Sequence, residues 1–284
     1  MTVPMVTLNN GVEIPQLGFG VFQVPVDEAQ QATLSALEVG YRHIDTAQSY
    51  RNEKQVGLAV VESGLPRSEV FVTSKLGNGF HAPTDARWAF ERTLGELGFD
   101  YLDLFLIDWP ADEVADFVET WQVFEELLAS CAVRAIGVSN FQPQHLERLL
   151  AATDVIPAVN QIEVHPYFTQ DALREQNRAN GIATEAWSPI AQGKVLGDET
   201  IGAIAARHGK TPAQVTLRWH IQRGDIVFPK STTPARVAEN FDLFDFELSD
   251  DDVTAITALN RDDRTGPNPD TMNMVPDRQR ELRP

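Results

Sequence analysis

The 284-residue chain has a single cysteine, Cys131, which rules out an internal disulfide and any cysteine-based metal cluster. No uninterrupted apolar run approaches the roughly 20 residues that carry a helix across a bilayer. The stretch from Met1 to Asn10 lacks the charged-then-apolar pattern of a secretory signal, so a soluble cytoplasmic protein is expected. Basic residues are scarce: 23 Lys+Arg stand against 41 Asp+Glu, giving a net charge of -18. That field repels nucleic acid and anionic membranes, and neither is expected as a partner. A small phosphate ligand stays possible, because screening over about 8 Å at physiological salt lets a local basic cluster act alone. No low-complexity stretch or Pro/Gly/Ser linker divides the chain, so 1–284 is expected to form one domain.

What the sequence does have is alternation. Val6 and Leu8 lead into Asn10-Gly11, and Val12 and Ile14 lead away, the pattern of a tight hairpin. Short apolar runs follow at Leu17–Phe19, His43–Asp45, Val70–Ser74, Leu102–Ile107, Ala135–Val138, Ala158–Val164, Ala183–Trp187 and Ile226–Phe228. Amphipathic helical stretches lie between them: 27–39, 53–63, 84–97, 115–129, 143–152, 169–180, 199–208 and 211–222, with further helices at 233–240 and 249–259. Eight buried strands, each followed by a helix, predict an α/β fold with a parallel sheet covered by helices. The count and the length favour a closed (β/α)8 TIM barrel, with an N-terminal hairpin and an extra C-terminal helix and tail. A doubly wound sheet would need a glycine fingerprint after its first strand. Gly18-Phe19-Gly20-Val21-Phe22-Gln23 lacks the third glycine.

In such a barrel, chemistry belongs to the strand C-termini. Asp45, Lys75, Asp108-Trp109, Ser139-Asn140, Gln161 and Trp187-Ser188 all fall there, and Tyr50 follows in the loop after Asp45. A tyrosine near its ordinary pKa of about 10 is a poor acid at pH 7. A neighbouring ammonium favours the phenolate, and a carboxylate can hold that ammonium in place. Singly, Asp45 reads equally as a helix cap, Lys75 as a solvated cation and Tyr50 as rim packing. Together on successive strand ends they point to proton transfer. His43, His81 and His165 match no metal-ligand spacing; the first and third read as structural, His81 as a loop residue, and no metal is expected.

Gly40-Tyr41-Arg42-His43-Ile44-Asp45-Thr46-Ala47, continuing through Tyr50, Asn52, Glu53 and Val56-Gly57, resembles the first signature of the aldo-keto reductases. Ile136-Gly137-Val138-Ser139-Asn140-Phe141 resembles the second, and Pro229-Lys230-Ser231 with Arg236, Glu239 and Asn240 the third. Asn160-Gln161-Ile162-Glu163-Val164-His165-Pro166 is similarly typical. The resemblance covers nearly the whole chain and is closest to the bacterial 2,5-diketo-gluconate reductase-like branch. It implies NADPH as cofactor and the reduction of small carbonyl compounds by a monomer. It further implies Tyr50 as proton donor, Lys75 as its partner and Asp45 as the lysine's anchor. Ser139, Asn140 and Gln161 are implied at the nicotinamide carboxamide and Trp187 on the nicotinamide ring. Gly20, Val21 and Phe22 are expected beside the cofactor, and Ser188, Pro189, Ile190 and Gln192 around its pyrophosphate. Lys230 and Arg236, with Ser231 and Thr232 near a helix start, suit a phosphate monoester such as the 2′-phosphate of NADPH, and Glu239 and Asn240 suit the adenine edge.

One position departs from the family. Asp108 stands where a histidine normally donates to the substrate carbonyl, and an ionised carboxylate can only accept. Kept protonated by an apolar setting, Asp108 would donate instead. Steroid 5β-reductases carry glutamate at the matching position and reduce a conjugated C=C bond. Altered carbonyl chemistry, impaired or introduced replacement, enone reduction and NADPH binding without turnover therefore all stay open. Phe22, Phe80, Asp108, Trp109 and Trp187 are expected to line the substrate cup, with Asn78 and His81 at its edge. The acidic loop 111–116 is expected to narrow or expose its mouth, and the tail from Gly266 to Pro284 to close over it. Cys131 reads as a buried bystander in a strained turn.

Overall fold

The computed structural model describes residues 2–276 and Gln279. Strands β1 (Met5–Thr7) and β2 (Glu13–Pro15) form the antiparallel hairpin, with Val6 opposite Ile14 and Gly11 at φ 83° in its turn. Eight parallel strands follow: β3 (Phe19–Gly20), β4 (His43–Asp45), β5 (Phe71–Leu76), β6 (Leu102–Ile107), β7 (Val133–Ser139), β8 (Val159–Glu163), β9 (Ala183–Trp187) and β10 (Ile226–Val227). Each pairs with its neighbour in sequence. The sheet closes on itself where Leu17 bridges Val227 in parallel and the Gly18 amide donates to the Val227 carbonyl at 2.7 Å. This is the expected (β/α)8 barrel.

Helices α1 (Val26–Val39), α2 (Glu53–Glu62), α3 (Pro83–Leu97), α4 (Phe117–Ala129), α5 (Pro143–Ala152) and α6 (Asp171–Ala179) return the chain between strands. After β9 come α7 (Glu199–His208) and α8 (Pro212–Gln222); after β10 come α9 (Pro234–Phe241) and α10 (Asp250–Thr257). Their ends carry the expected chemistry. Thr211 and Gln214 form a reciprocal capping box at α8 with Pro212 at the first helical position, and Gly98 ends α3 at φ 71°. Gly57 is required by close approach: a Cβ there would lie 2.0 Å from the Leu97 carbonyl oxygen, so α2 crosses the end of α3 where no other residue fits.

Residues two apart in a strand share a face, and this orders the barrel interior by height. Phe71, Leu104, Ala135, Val159 and Ile226 fill the bottom, and Leu8 and Ile14 of the hairpin pack into the same cluster as a plug. Above them the inward positions turn polar: Asp45, Lys75, Gln161 and Glu185, all buried. The larger apolar core, from Leu17 to Ile256, lies between barrel and helices.

Three expectations need correction. Lys75 lies within β5, which runs two residues further than its apolar run suggested. Cys131 is exposed; it takes φ 61° in the turn after α4, the strain expected there, but the thiol faces solvent and is not buried. His81 is fully buried between the loop and Thr120, whose hydroxyl donates to the His81 carbonyl at 2.7 Å, so it is not at the edge of a cup.

Beyond α10 the chain crosses the top of the barrel. The Thr265 and Gly266 amides donate to Glu163 at 2.6 and 3.2 Å, and Gln144 reaches Asp270 at 2.6 Å. The Glu113 amide donates to Asn273, Asn78 donates to the Met274 carbonyl and the Gly79 amide donates to Gln279. The rest of the expected tail, 277, 278 and 280–284, lies outside the described residues. Among the described residues no helix is long and apolar enough to cross a membrane.

Candidate active site

The polar layer is organised around one buried cation. Lys75 is 1% exposed, and an ammonium taken out of water needs an acceptor for each of its three N–H bonds. It has them: Asp45 Oδ1 at 2.7 Å, the Thr46 carbonyl at 2.9 Å and the Tyr50 hydroxyl at 3.2 Å. Burial alone would lower the lysine's pKa, but Asp45, Tyr50 and Asp108 together hold it above its ordinary value, so the cation is firm. Tyr50 is carried on a single turn, Gln48–Tyr50, fixed by Gln48, which donates to the Ala89 carbonyl and Thr93 and accepts from the Gly77 amide. Asn52 ties that loop to Thr46 and to the Val21 carbonyl.

The expected easing of Tyr50 is only half realised. Burial raises its pKa above 10; Lys75 opposes that rise, while Asp45 and Asp108 add to it. The lysine therefore offsets part of a desolvation penalty and does not leave a free phenolate. Asp108, half-buried at the mouth, is pushed up to about 6, by burial first; Lys75 pulls the other way and Asp45 adds to the rise. Ser49 donates to its Oδ2 at 3.3 Å. At pH 7 it is mostly an acceptor.

The opposite wall presents amides. Gln161 gives its Nε2 to two carboxylates, Asp45 Oδ2 at 2.9 Å and Glu185 Oε2 at 2.7 Å. Those acceptors fix which end of the side chain is nitrogen. Asn140, at φ 64°, donates to the Asp108 carbonyl and to Ser139 Oγ, and accepts from the Trp187 indole at 2.9 Å. Ser188, Ala191 and Gln192 also take positive φ values of 49°, 49° and 54°. Non-glycine residues held in that region cost free energy and cluster where backbone is shaped for a ligand. Further along the rim, Lys230 and Arg236 are exposed, and neither makes an ion pair among the described residues. In a chain of net charge -18 that is a notable omission. Ser231 accepts from the Thr233 amide before α9, Thr232 is exposed, Asn240 is buried and Glu239 is engaged by the Thr211 hydroxyl at 2.9 Å.

A family model described as the aldo/keto reductase family matches residues 16–261. The chain belongs to that family. An aldo-keto reductase of Mycolicibacterium smegmatis is 51% identical over 272 residues, covering 96% of this chain and 99% of the relative. A glyoxal reductase of Bacillus subtilis is 48% identical, covering 94% and 96%. The crystal structure of a Gox0644 mutant in complex with NADPH superposes with a TM-score of 0.93 at 44% identity, covering 96% of this chain and all of that one.

In this aldo-keto reductase, Asp45, Tyr50, Lys75, Asp108, Ser139, Asn140, Gln161 and Trp187 are joined by direct hydrogen bonds, apart from any ligand. Gly20 and Val21 lie buried beside them, and the half-exposed Phe22 ring sits 5.0 Å from that of Tyr50. Trp109, half-buried, follows Asp108 at the mouth. Phe80 and Asn78 lie deeper. Phe80 is buried against Trp88 and borders a cavity of about 130 Å³ with Gln48, Ser49, Arg92 and Thr93, while Asn78 is spent on the tail. The acidic loop is clamped by Arg148 to Asp112 at 2.9 Å and Asp116 at 2.8 Å. Two participants escaped the sequence reading. Ser49 carries no signal beyond adjacency to Tyr50. Glu185 does: it is a carboxylate in a strand otherwise read as apolar, in register with Gln161.

Proposed function

We propose that this enzyme reduces small aldehydes and ketones, dicarbonyls and keto-sugar acids among them, using NADPH and a proton from Tyr50. The observation that carries the reading is the buried Lys75 ammonium, shared among Asp45, Thr46 and the Tyr50 hydroxyl. A phenol there can give its proton to a substrate oxygen, because the adjacent cation stabilises the phenolate left behind. Bound NADPH supplies the hydride. The residues present fit it: Lys230 and Arg236, unpaired among the described residues, suit the 2′-phosphate, and the strained Ser188–Gln192 segment with Pro189 and Ile190 suits a pyrophosphate. Gln161, its nitrogen already committed to two carboxylates, offers Oε1 to an amide N–H beside Asn140 and Ser139. Trp187 and Phe22 supply apolar faces. A relative that carries the name glyoxal reductase and a related chain complexed with NADPH support the same reading.

The test is Tyr50→Phe. Turnover of a dicarbonyl panel should fall by about 10²–10⁴, the usual worth of a positioned acid. NADPH affinity, read by cofactor fluorescence, should stay within a few-fold because the ring still packs. Full turnover in the variant overturns Tyr50 as the acid, and a parent that binds no NADPH overturns the cofactor.

A further inference from the structure

The hydrogen-bond chain that ends at Tyr50 does not begin at Asp45. It continues through Gln161 to Glu185 on β9, which is 0% exposed and whose Oε1 has no partner among the described residues. Nothing in the proposed reaction uses this carboxylate. A buried carboxyl without a cation of its own is costly when ionised. Among the described residues the one cation acting on it, Lys75, is already neutralised by Asp45. Its other close neighbours are the Gln161 amide and, across the β9–β10 ladder, apolar Ile226.

We propose that Glu185 is a hidden positioning residue of the active site, holding a proton in its resting form and setting, through Gln161 and Asp45, the charge that stands behind Lys75 and Tyr50. Two consequences follow from the geometry. As a neutral acid Glu185 accepts from Gln161 without adding charge, so the buried layer balances, Lys75 against Asp45. When Glu185 loses its proton to solvent, a second anion joins the Asp45 side of the network. The field at the Tyr50 hydroxyl becomes more negative, the phenolate is disfavoured, and Tyr50 becomes a weaker proton donor. The direction of the carboxyl's own equilibrium agrees: burial first, then Asp45, push it up to about 8, against the pull of Gln161 and Lys75. The groups that titrate or carry charge around it are Asp45 on β4, Lys75 on β5 and, beyond them, Tyr50 and Asp108. Asp108 changes charge on the acid side, near pH 6, and is separable from Glu185 on that ground.

The inference rests on the proposed carbonyl reduction for its kinetic arm alone. The direct arm needs no turnover: difference infrared or glutamate carboxyl NMR of the ligand-free protein, with Glu185→Gln to assign the signal. One glutamic acid still protonated at pH 7 and lost in Glu185→Gln is expected, with its ionisation near pH 8. If every glutamate is ionised at pH 7, the proposal fails whatever the enzyme does. In the kinetic arm the parent's kcat should drop from pH 7 to pH 9 by about three- to tenfold, the effect of one added charge at an effective dielectric near 20. In Glu185→Gln, which keeps the acceptor for Gln161 and cannot ionise, that ratio should collapse toward one, with KM for carbonyl substrate little changed. The same alkaline drop in parent and variant overturns the proposal. A parent that turns over no carbonyl fails the functional reading, and the spectroscopic arm still decides Glu185.

Discussion

On the proposed reading, Asp108 is the single residue expected to limit catalysis. A donor at that position would bind the carbonyl oxygen to which Tyr50 is proposed to give its proton; an ionised aspartate would repel the charge developing there. Its carboxyl sits at about 6, so the acid form, which can donate, grows as pH falls through that value and is minor at pH 7. The parent is therefore expected to reduce aldehydes faster at pH 5.5 than at pH 7.5. Asp108→Asn, neutral at every pH, should flatten that slope. Asp108→His should raise kcat/KM near pH 7 by one or more orders of magnitude. One oxyanion-directed hydrogen bond is worth about 2.7–4 kcal/mol, discounted here because Tyr50 also donates. Enone reduction needs the same acid protonated and shares the pH trend, so substrate separates the two chemistries. Should Asp108→His slow aldehydes, or the parent prefer enones, aspartate is a working choice and the carbonyl reading of this position fails.

Among the elements, the strands and helices were largely legible and the polar layer inside them was not. Short, continuously apolar runs placed every barrel strand within about three residues, because a strand buried on both faces is marked by its apolar residues. The inner face obeys a different rule. Asp45, Lys75, Gln161 and Glu185 interrupt that pattern one residue at a time, and only closure of the barrel brings them into one hydrogen-bonded layer. Tyr50's acidity is legible only in part for a related reason: its adjacency to Lys75 is written in the motif, but the desolvation that outweighs it depends on what covers the loop. The covering strap makes its own prediction. Glu163 at the end of β8 pins Thr265 and Gly266, and a Cβ on Gly266 would fall 2.3 Å from the Trp187 ring. Gly266→Ala must shift the strap or the indole, at a cost of about 1–3 kcal/mol for overpacking. Because that indole also donates to Asn140, NADPH affinity should fall several-fold along with a changed tryptophan emission. Unaltered emission and affinity would mean that the strap yields freely and does not position Trp187.

Over the whole molecule, charge of one sign dominates, and the cofactor is an anion too. In the proposed cofactor site Lys230 and Arg236 would attract the 2′-phosphate over a few ångströms, whereas the net charge of -18 opposes the approach of an anion. Which of these an approaching cofactor feels depends on ionic strength. The screening length is about 30 Å at 0.01 M salt and about 8 Å at 0.15 M. At low salt the approaching cofactor meets the whole anionic surface; at physiological salt it meets mainly the rim nearest to it. The association rate of NADPH is therefore expected to rise with salt over this range, opposite to a phosphate landing on a basic protein. Lys230→Met removes the short-range attraction and leaves the long-range repulsion. It should raise the NADPH Kd by roughly ten- to a hundredfold, the worth of one charged contact of about 1.5–3 kcal/mol. NADH, with no 2′-phosphate, should bind both proteins nearly alike. Stopped-flow association at several salt concentrations, run on parent and variant with both cofactors, measures all of this at once. A parent rate that falls steadily with salt would show that the local pair governs approach as well as affinity. An unchanged NADPH Kd in Lys230→Met would remove the 2′-phosphate from this corner of the barrel altogether.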